Sequence, residues 1–183
     1  MTQPEPALRD ALLAAVPSLR AFAISLTGQV DRADDLVQDT LLRALSNIDR
    51  FERGTNLNAW LFTILRNLFH SEYRKRRREV EDADGSYAAR LKAQPEQGAR
   101  LDFEDFREAL STLPPDQREA LLLVGASGFS YEEAANICGC AVGTIKSRVN
   151  RARSRLTQLL AVDGDEDLGA DRITRAALQA ASG

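Results

Sequence analysis

Apolar residues recur at helical spacing through most of the chain. Leu19, Phe22, Ala23 and Leu26 follow the i, i+3, i+4, i+7 pattern of an amphipathic helix, and Gly28 stands where that helix would end. Leu36, Val37, Leu41, Ala44, Leu45 and Ile48 predict a second helix, with Asp31 as its N-cap. Trp60, Leu61, Ile64, Leu65, Leu68 and Phe69 predict a third. No segment alternates with the two-residue period of a strand, and the one plausible hairpin dipeptide, Asp84-Gly85, lies in polar sequence.

From Glu79 to Ala99 the periodicity dissolves into Glu, Asp, Gly, Ser, Gln and Pro, a composition that buries too little apolar area to offset chain entropy. It resumes at Phe103, Phe106, Leu110 and Leu113, where Pro114-Pro115 ends one helix and starts another. The expected fold is all-α, with two small helical domains joined by a flexible linker. The expected boundaries are 8–79 for the first domain, 80–102 for the linker, 103–162 for the second domain, and 163–183 for an acidic, Ala-rich tail.

The second domain carries the more specific pattern. Ser130-Tyr-Glu-Glu133 has the form of a capping box, which sets a helix start. Ala134, Ala135 and Ile137 face inward, and Gly139 is placed to take a positive-φ turn. A second helix then begins near Val142, with Ile145, Val149, Ala152, Leu156 and Leu160 on one stripe. A short capped helix, a glycine turn and a basic amphipathic helix make the sequence form of a helix-turn-helix, whose second helix enters the DNA major groove. On this reading Thr144, Lys146, Ser147, Arg148 and Arg151 face base edges or phosphates, and Arg153 and Arg155 reach mainly phosphate. A solvated bundle face would instead mix both signs of charge.

Charge sharpens this picture. The 183 residues sum to −3, which excludes a polycation but not nucleic-acid binding, because binding follows the local concentration of positive charge. Windows 66–78 and 141–155 each carry +5, leaving −13 for the rest. In the first window Arg66, Asn67, His70, Arg74 and Arg77 share one helical face, a second candidate DNA surface. The polar loop 51–58 ahead of it, with Asn56 and Asn58, suits an unpaired base as well as it suits a plain helix connector. Asp35 and Asp39 lie one helical turn apart and suggest a docking surface for a basic protein partner.

Catalysis finds little support. A single His and two Cys are too few for a four-ligand zinc site or a disulfide framework, so no metal or cofactor is expected. Gly139 to Lys146 fails the spacing of a phosphate loop, and nothing pairs with His70 as a catalytic dyad. The N-terminus lacks the basic start and apolar stretch of a signal peptide, and no apolar run of membrane-spanning length is evident, so a cytoplasmic protein is expected.

In order, these elements resemble the extracytoplasmic-function (group IV) sigma factors of bacterial RNA polymerase over about residues 10–160. The resemblance rests on Asp34-Asp-Leu-Val-Gln-Asp-Thr40, Asn58-Ala-Trp-Leu-Phe-Thr-Ile-Leu-Arg-Asn67, Leu113-Pro-Pro-Asp-Gln-Arg-Glu-Ala120, Ser130-Tyr-Glu-Glu-Ala-Ala135 and Val142-Gly-Thr-Ile-Lys-Ser-Arg-Val-Asn-Arg-Ala-Arg153. The runs Gln94–Phe106 and Val124–Phe129 further resemble the alphaproteobacterial general stress response subgroup.

The resemblance implies a non-enzymatic protein that binds core polymerase through Asp34, Asp35, Leu36, Gln38 and Asp39. It implies that Arg53, Asn56 and Asn58 of the loop, with Arg66, Asn67, His70, Arg74 and Arg77, hold the melting downstream promoter element. The recognition helix, with Ser130 ahead of it, would read a GGAA-like upstream element. It also implies control by a small, NepR-like anti-sigma factor, itself captured by a sigma-mimicking response regulator. The competing expectations are a sigma-like decoy that binds only the anti-sigma factor and an ordinary helix-turn-helix regulator.

Overall fold

A proline inside a helix removes one N–H donor, and the first helix absorbs that loss at its surface. In the computed structural model, which describes residues 6–82 and 101–160, α1 runs over Pro6–Thr27 with Pro17 inside it. The carbonyl that Pro17 cannot serve belongs to Leu13, a residue 59% exposed. The helix thus starts well before the Leu19 to Leu26 pattern. Gly28 ends it as expected, with φ 68° and its N–H donating to Ile24 O.

Helix α2 (Val30–Ser46) begins at Gln29 rather than at Asp31. Gln29 contributes no side-chain cap, but its carbonyl accepts the Ala33 N–H, and Asp31 falls in the first turn, where a carboxylate favours the helix dipole. Ala33, Leu36, Val37, Thr40 and Ala44 form its buried face, whereas Leu45 is exposed. Thr40, fully buried, satisfies its hydroxyl by donating to Leu36 O. A short 3-10 turn (Ile48–Arg50) and the loop after it lead to α3 (Leu57–Asp82). Leu12, Ala15, Leu19, Phe22 and Ala23 of α1 are buried with the α2 face and with Leu61, Phe62 and Leu65 of α3. By length and apolar content α1 would suffice for a membrane span, contrary to the sequence reading, but its Leu19 and Ala23 are fully buried in this core.

The later segment holds α4 (Leu101–Ser111), α5 (Pro115–Leu121), α6 (Tyr131–Cys138) and α7 (Val142–Leu159). Pro114 caps α5 and Pro115 opens it, as their order requires. Helix α5 passes into a π-helical turn (Leu122–Ala126) that buries Leu122 and Leu123, and the chain then folds back with the Phe129 N–H on Leu123 O. This return aims Phe129 at α3. Its ring meets Phe62 edge-on with centroids 4.9 Å apart, and Phe62 in turn packs on Phe22 at 5.0 Å. The two helical segments correspond to the two expected domains, and among the described residues they also meet through this contact in one apolar cluster. Most of the expected linker and all of the tail 163–183 lie outside the described residues.

Candidate nucleic-acid and polymerase interfaces

The α6–turn–α7 unit is built from local signals. Ser130 Oγ accepts the Glu133 N–H at 3.1 Å and Glu133 Oε2 accepts the Ser130 N–H at 2.9 Å, closing the capping box. Those bonds, with the amide of Asn56, hold the Glu133 carboxyl below its ordinary range. Gly139 adopts φ 65°, ψ 40°, and the Cys140 N–H returns to Ala135 O, so the chain reverses within one residue of the helix end. Burial pushes the Cys138 thiol up to about 12, which makes it an inert packing group in this turn.

Helix α7 buries Ile145, Val149, Ala152 and Leu156, and this register decides which polar residues face outward. Lys146, Asn150, Arg151 and Arg155 are exposed, and Ser147 and Thr144 are half-buried beside them. Lys146 lies over the Tyr131 ring at 5.7 Å, which ties it to α6. Arg148, expected as a base contact, turns its guanidinium toward α5 in the free chain, where it pairs with half-exposed Asp116 at 3.1 Å, with Cys140 Sγ 3.8 Å away, and so ties α7 to α5. Arg153 is likewise half-buried, with its Nε enclosed, while Ser130 is spent partly on its cap. Asn150, overlooked in the sequence, stands one turn after Lys146 on the outward face, and an Asn amide can pair bidentately with adenine.

The α3 face divides in two. Asn67 and Arg74 are exposed, and the side chain of Arg77 lies outside the described residues. Arg66 and His70 instead converge on Glu119 of α5, at 2.8 and 3.4 Å. Glu119 is 2% exposed. Its burial alone would raise the carboxyl's pKa, but the His70 hydrogen bond and the Arg66 charge outweigh that cost and hold it below the ordinary range. Arg53 of the preceding loop and Asn58, which falls in the first turn of α3 rather than in the loop, are exposed, and Asn56 caps α3 by accepting the Ala59 N–H at 3.2 Å. The same Asn56 donates from its amide to Glu133 Oε1 at 2.6 Å. Glu119 and Asp116, and the reach of Glu133 to Asn56 beyond its cap, are what the sequence does not reveal, since an acid on a helix carries no periodic signal of its distant partner.

On α2 the outward residues are Asp35, Gln38 and Asp39, with exposed Leu42 one turn after Gln38. A groove of about 420 Å³ runs from Asp35 and Asp39 to Glu72 and Arg76 of α3, and Arg32 lies in it with its pKa lowered by burial and by Arg76. Two other members of the expected docking set are engaged within the fold of the free chain. Leu36 is 2% exposed because it belongs to the apolar stripe, and Asp34 is bound to Arg20 of α1 at 2.6 Å.

Comparison with known proteins agrees with this architecture. The Sigma-70 region 2 family model matches residues 12–79, and the Sigma-70 region 4 model matches residues 103–156. The chain belongs to the sigma-70 family of RNA polymerase sigma factors, in its extracytoplasmic-function branch. Within that branch it is 76% identical to the sigma factor EcfG of Rhodopseudomonas palustris over 171 residues, 93% of this chain and 94% of that one. It is 40% identical to the sigma factor SigC of Mycobacterium tuberculosis over 136 residues, 73% of this chain and 72% of that one. Among solved structures it is similar to the sigma factor RpoE of Bartonella quintana, crystallised with the anti-sigma factor NepR. That match has a TM-score of 0.78 at 58% identity and covers 87% of this chain and 99% of the other.

Proposed function

We propose that this chain is a promoter-specificity subunit that binds core RNA polymerase, recognises two promoter elements and nucleates strand opening without catalysing a reaction itself. The observation that carries this reading is the pairing of two basic surfaces on one chain, one on α3 and one on α7, each within a different sigma region. Asp35, Gln38 and Asp39 supply the acidic surface for polymerase. Lys146, Ser147, Asn150 and Arg151 read the upstream element, while Arg155 and the N-terminal turn of α7 hold phosphate. Arg53, Asn56 and Asn58, with Arg66, Asn67, His70, Arg74 and Arg77, hold the downstream strand, where binding energy favours a flipped, melted state.

The likeness to EcfG and to a sigma factor bound by NepR supports a stress-response role under a NepR-like anti-sigma factor, with release by a sigma-mimicking response regulator. Such work places the chain in the cytoplasm. Nuclease footprinting of the full chain with purified core polymerase tests the assignment. Protection of both promoter elements is expected, and protection no greater than with core alone would refute it.

A further inference from the structure

The outward face of α2 is not uniformly acidic where it meets α3. Asp35, Gln38 and Asp39 line the groove of about 420 Å³ from α2, and Glu72, Lys75 and Arg76 line it from α3. Arg32, one turn before Asp35, is half-buried in the same groove. The lining holds three carboxylates and three cations, so it is neutral in sum but not in order. The α2 side exposes two carboxylates, Asp35 and Asp39, and the α3 side exposes two cations, Lys75 and Arg76. Arg76 stands near enough to Arg32 that its charge, after burial, lowers the Arg32 pKa, with Glu72 opposing both. Two like charges are thus held together in the free chain, and a carboxylate brought in from outside would relieve them. Further along the same face of α2 stand exposed Leu42 and Leu45.

A partner bearing only cations would satisfy Asp35 and Asp39 but would also meet Arg32 and Arg76, and like-charge contacts reject a wrong partner strongly. We propose that the groove is the charge-selective half of the polymerase docking surface and takes an element of core polymerase carrying a basic and an acidic side chain together. The base lies against Asp35 and Asp39, and the acid against Arg32 and Arg76. The inference rests on the reading of α2 as the polymerase surface and extends that surface onto α3. It replaces the simply basic partner expected from Asp35 and Asp39 with one of both signs. Arg32 and Arg76 become specificity-determining residues for docking. Leu42 and Leu45 then supply apolar burial at one end, while the ordered charges of the groove fix the register of the partner at the other.

Arg76 is exposed and is none of the proposed DNA contacts, so it is the residue to vary. Full-length parent, Arg76→Glu and Arg76→Lys compete with a fluorescein-labelled parent chain for purified core polymerase, read by anisotropy over a range of salt concentrations. At low salt Arg76→Glu should bind core about five- to tenfold more weakly than the parent, and Arg76→Lys within about twofold of it. The gap should narrow as salt rises, because exposed charges are screened, whereas a structural defect would persist. Circular dichroism checks the fold, and if Arg76→Glu loses helical content, Arg76→Gln carries the same readouts. Parental core affinity of Arg76→Glu, with Asp35→Arg plus Asp39→Arg losing core, overturns the groove and leaves α2 as the docking surface. If both bind like the parent, the reading of α2 falls and the groove falls with it. A deficit that salt does not narrow, or that Arg76→Lys shares in full, overturns the proposal. So does a loss seen only in promoter footprints at unchanged core affinity, which would assign Arg76 to DNA.

Discussion

Arg66 on α3 donates a 2.8 Å hydrogen bond to Glu119 on α5, a residue 53 positions further along the chain. With Glu119 almost fully buried, removing its partner strands a charge in the apolar junction. Arg66→Ala should therefore destabilise the contact between α3 and α5 by about 3 kcal/mol, moderated by His70 at 3.4 Å. Hydrogen exchange would show it: amides around Phe129 and the middle of α3 lose protection, while those of α7 keep theirs. Unchanged protection at Phe129 would contradict the account.

Glu119 also gives the junction a pH dependence. Its carboxyl titrates below the ordinary 4.5 in the folded chain, so the stabilisation is fully present above that value and is lost as pH falls through the lowered one. The urea midpoint should drop over this acidic interval, and Glu119→Gln should flatten that drop. An equal acid slope in both proteins would assign the effect to other carboxylates.

On α7 exposed Asn150 and ion-paired Arg148 carry different expectations. Asn150→Ala should weaken the upstream element by about 1 to 3 kcal/mol without moving the melting temperature, since Asn150 is exposed. Arg148→Ala should lower the melting temperature, because it breaks the clamp to Asp116. Competition binding with single-base variants of the element, together with thermal melts, distinguishes the two. The assignment fails if Arg148→Ala changes base preference at full thermal stability.

Gly139 turns the chain between α6 and α7 with φ 65° and nothing within 4 Å of an added Cβ. Gly139→Ala thus meets no clash and costs only the left-handed backbone, about 1 to 2 kcal/mol, read as a lower melting temperature. A neutral result would show that the turn relaxes to another conformation.

This local unit was the most legible part of the chain. Ser130, Glu133, Gly139 and the Pro114-Pro115 pair each act within a few residues, so spacing alone reveals them. The start of α2 was misread by two residues because Gln29 caps only through its backbone. The inward turn of Arg148 depends on Asp116 of another helix. Pairings such as Asn56 with Glu133, 77 residues apart, are invisible to periodicity, because each partner separately resembles a solvated polar residue. The contact between the two domains is hidden for the same reason. Phe62 fits a helix stripe and Phe129 a turn, and only the π-helical return brings them together.

The α2 surface yields a further prediction. Asp35 and Asp39 are exposed, so Asp35→Arg with Asp39→Arg should leave the fold intact and abolish co-elution with core polymerase. Undiminished co-elution of the folded double variant would remove α2 as the docking surface.

Run-off transcription with purified core polymerase, on a promoter carrying a GGAA-like upstream element, addresses the central claim most directly. A transcript of defined length should appear only when the chain is added, and should disappear when the upstream element is scrambled. No transcript from a folded chain that demonstrably co-elutes with core polymerase would contradict its role as a promoter-specificity subunit.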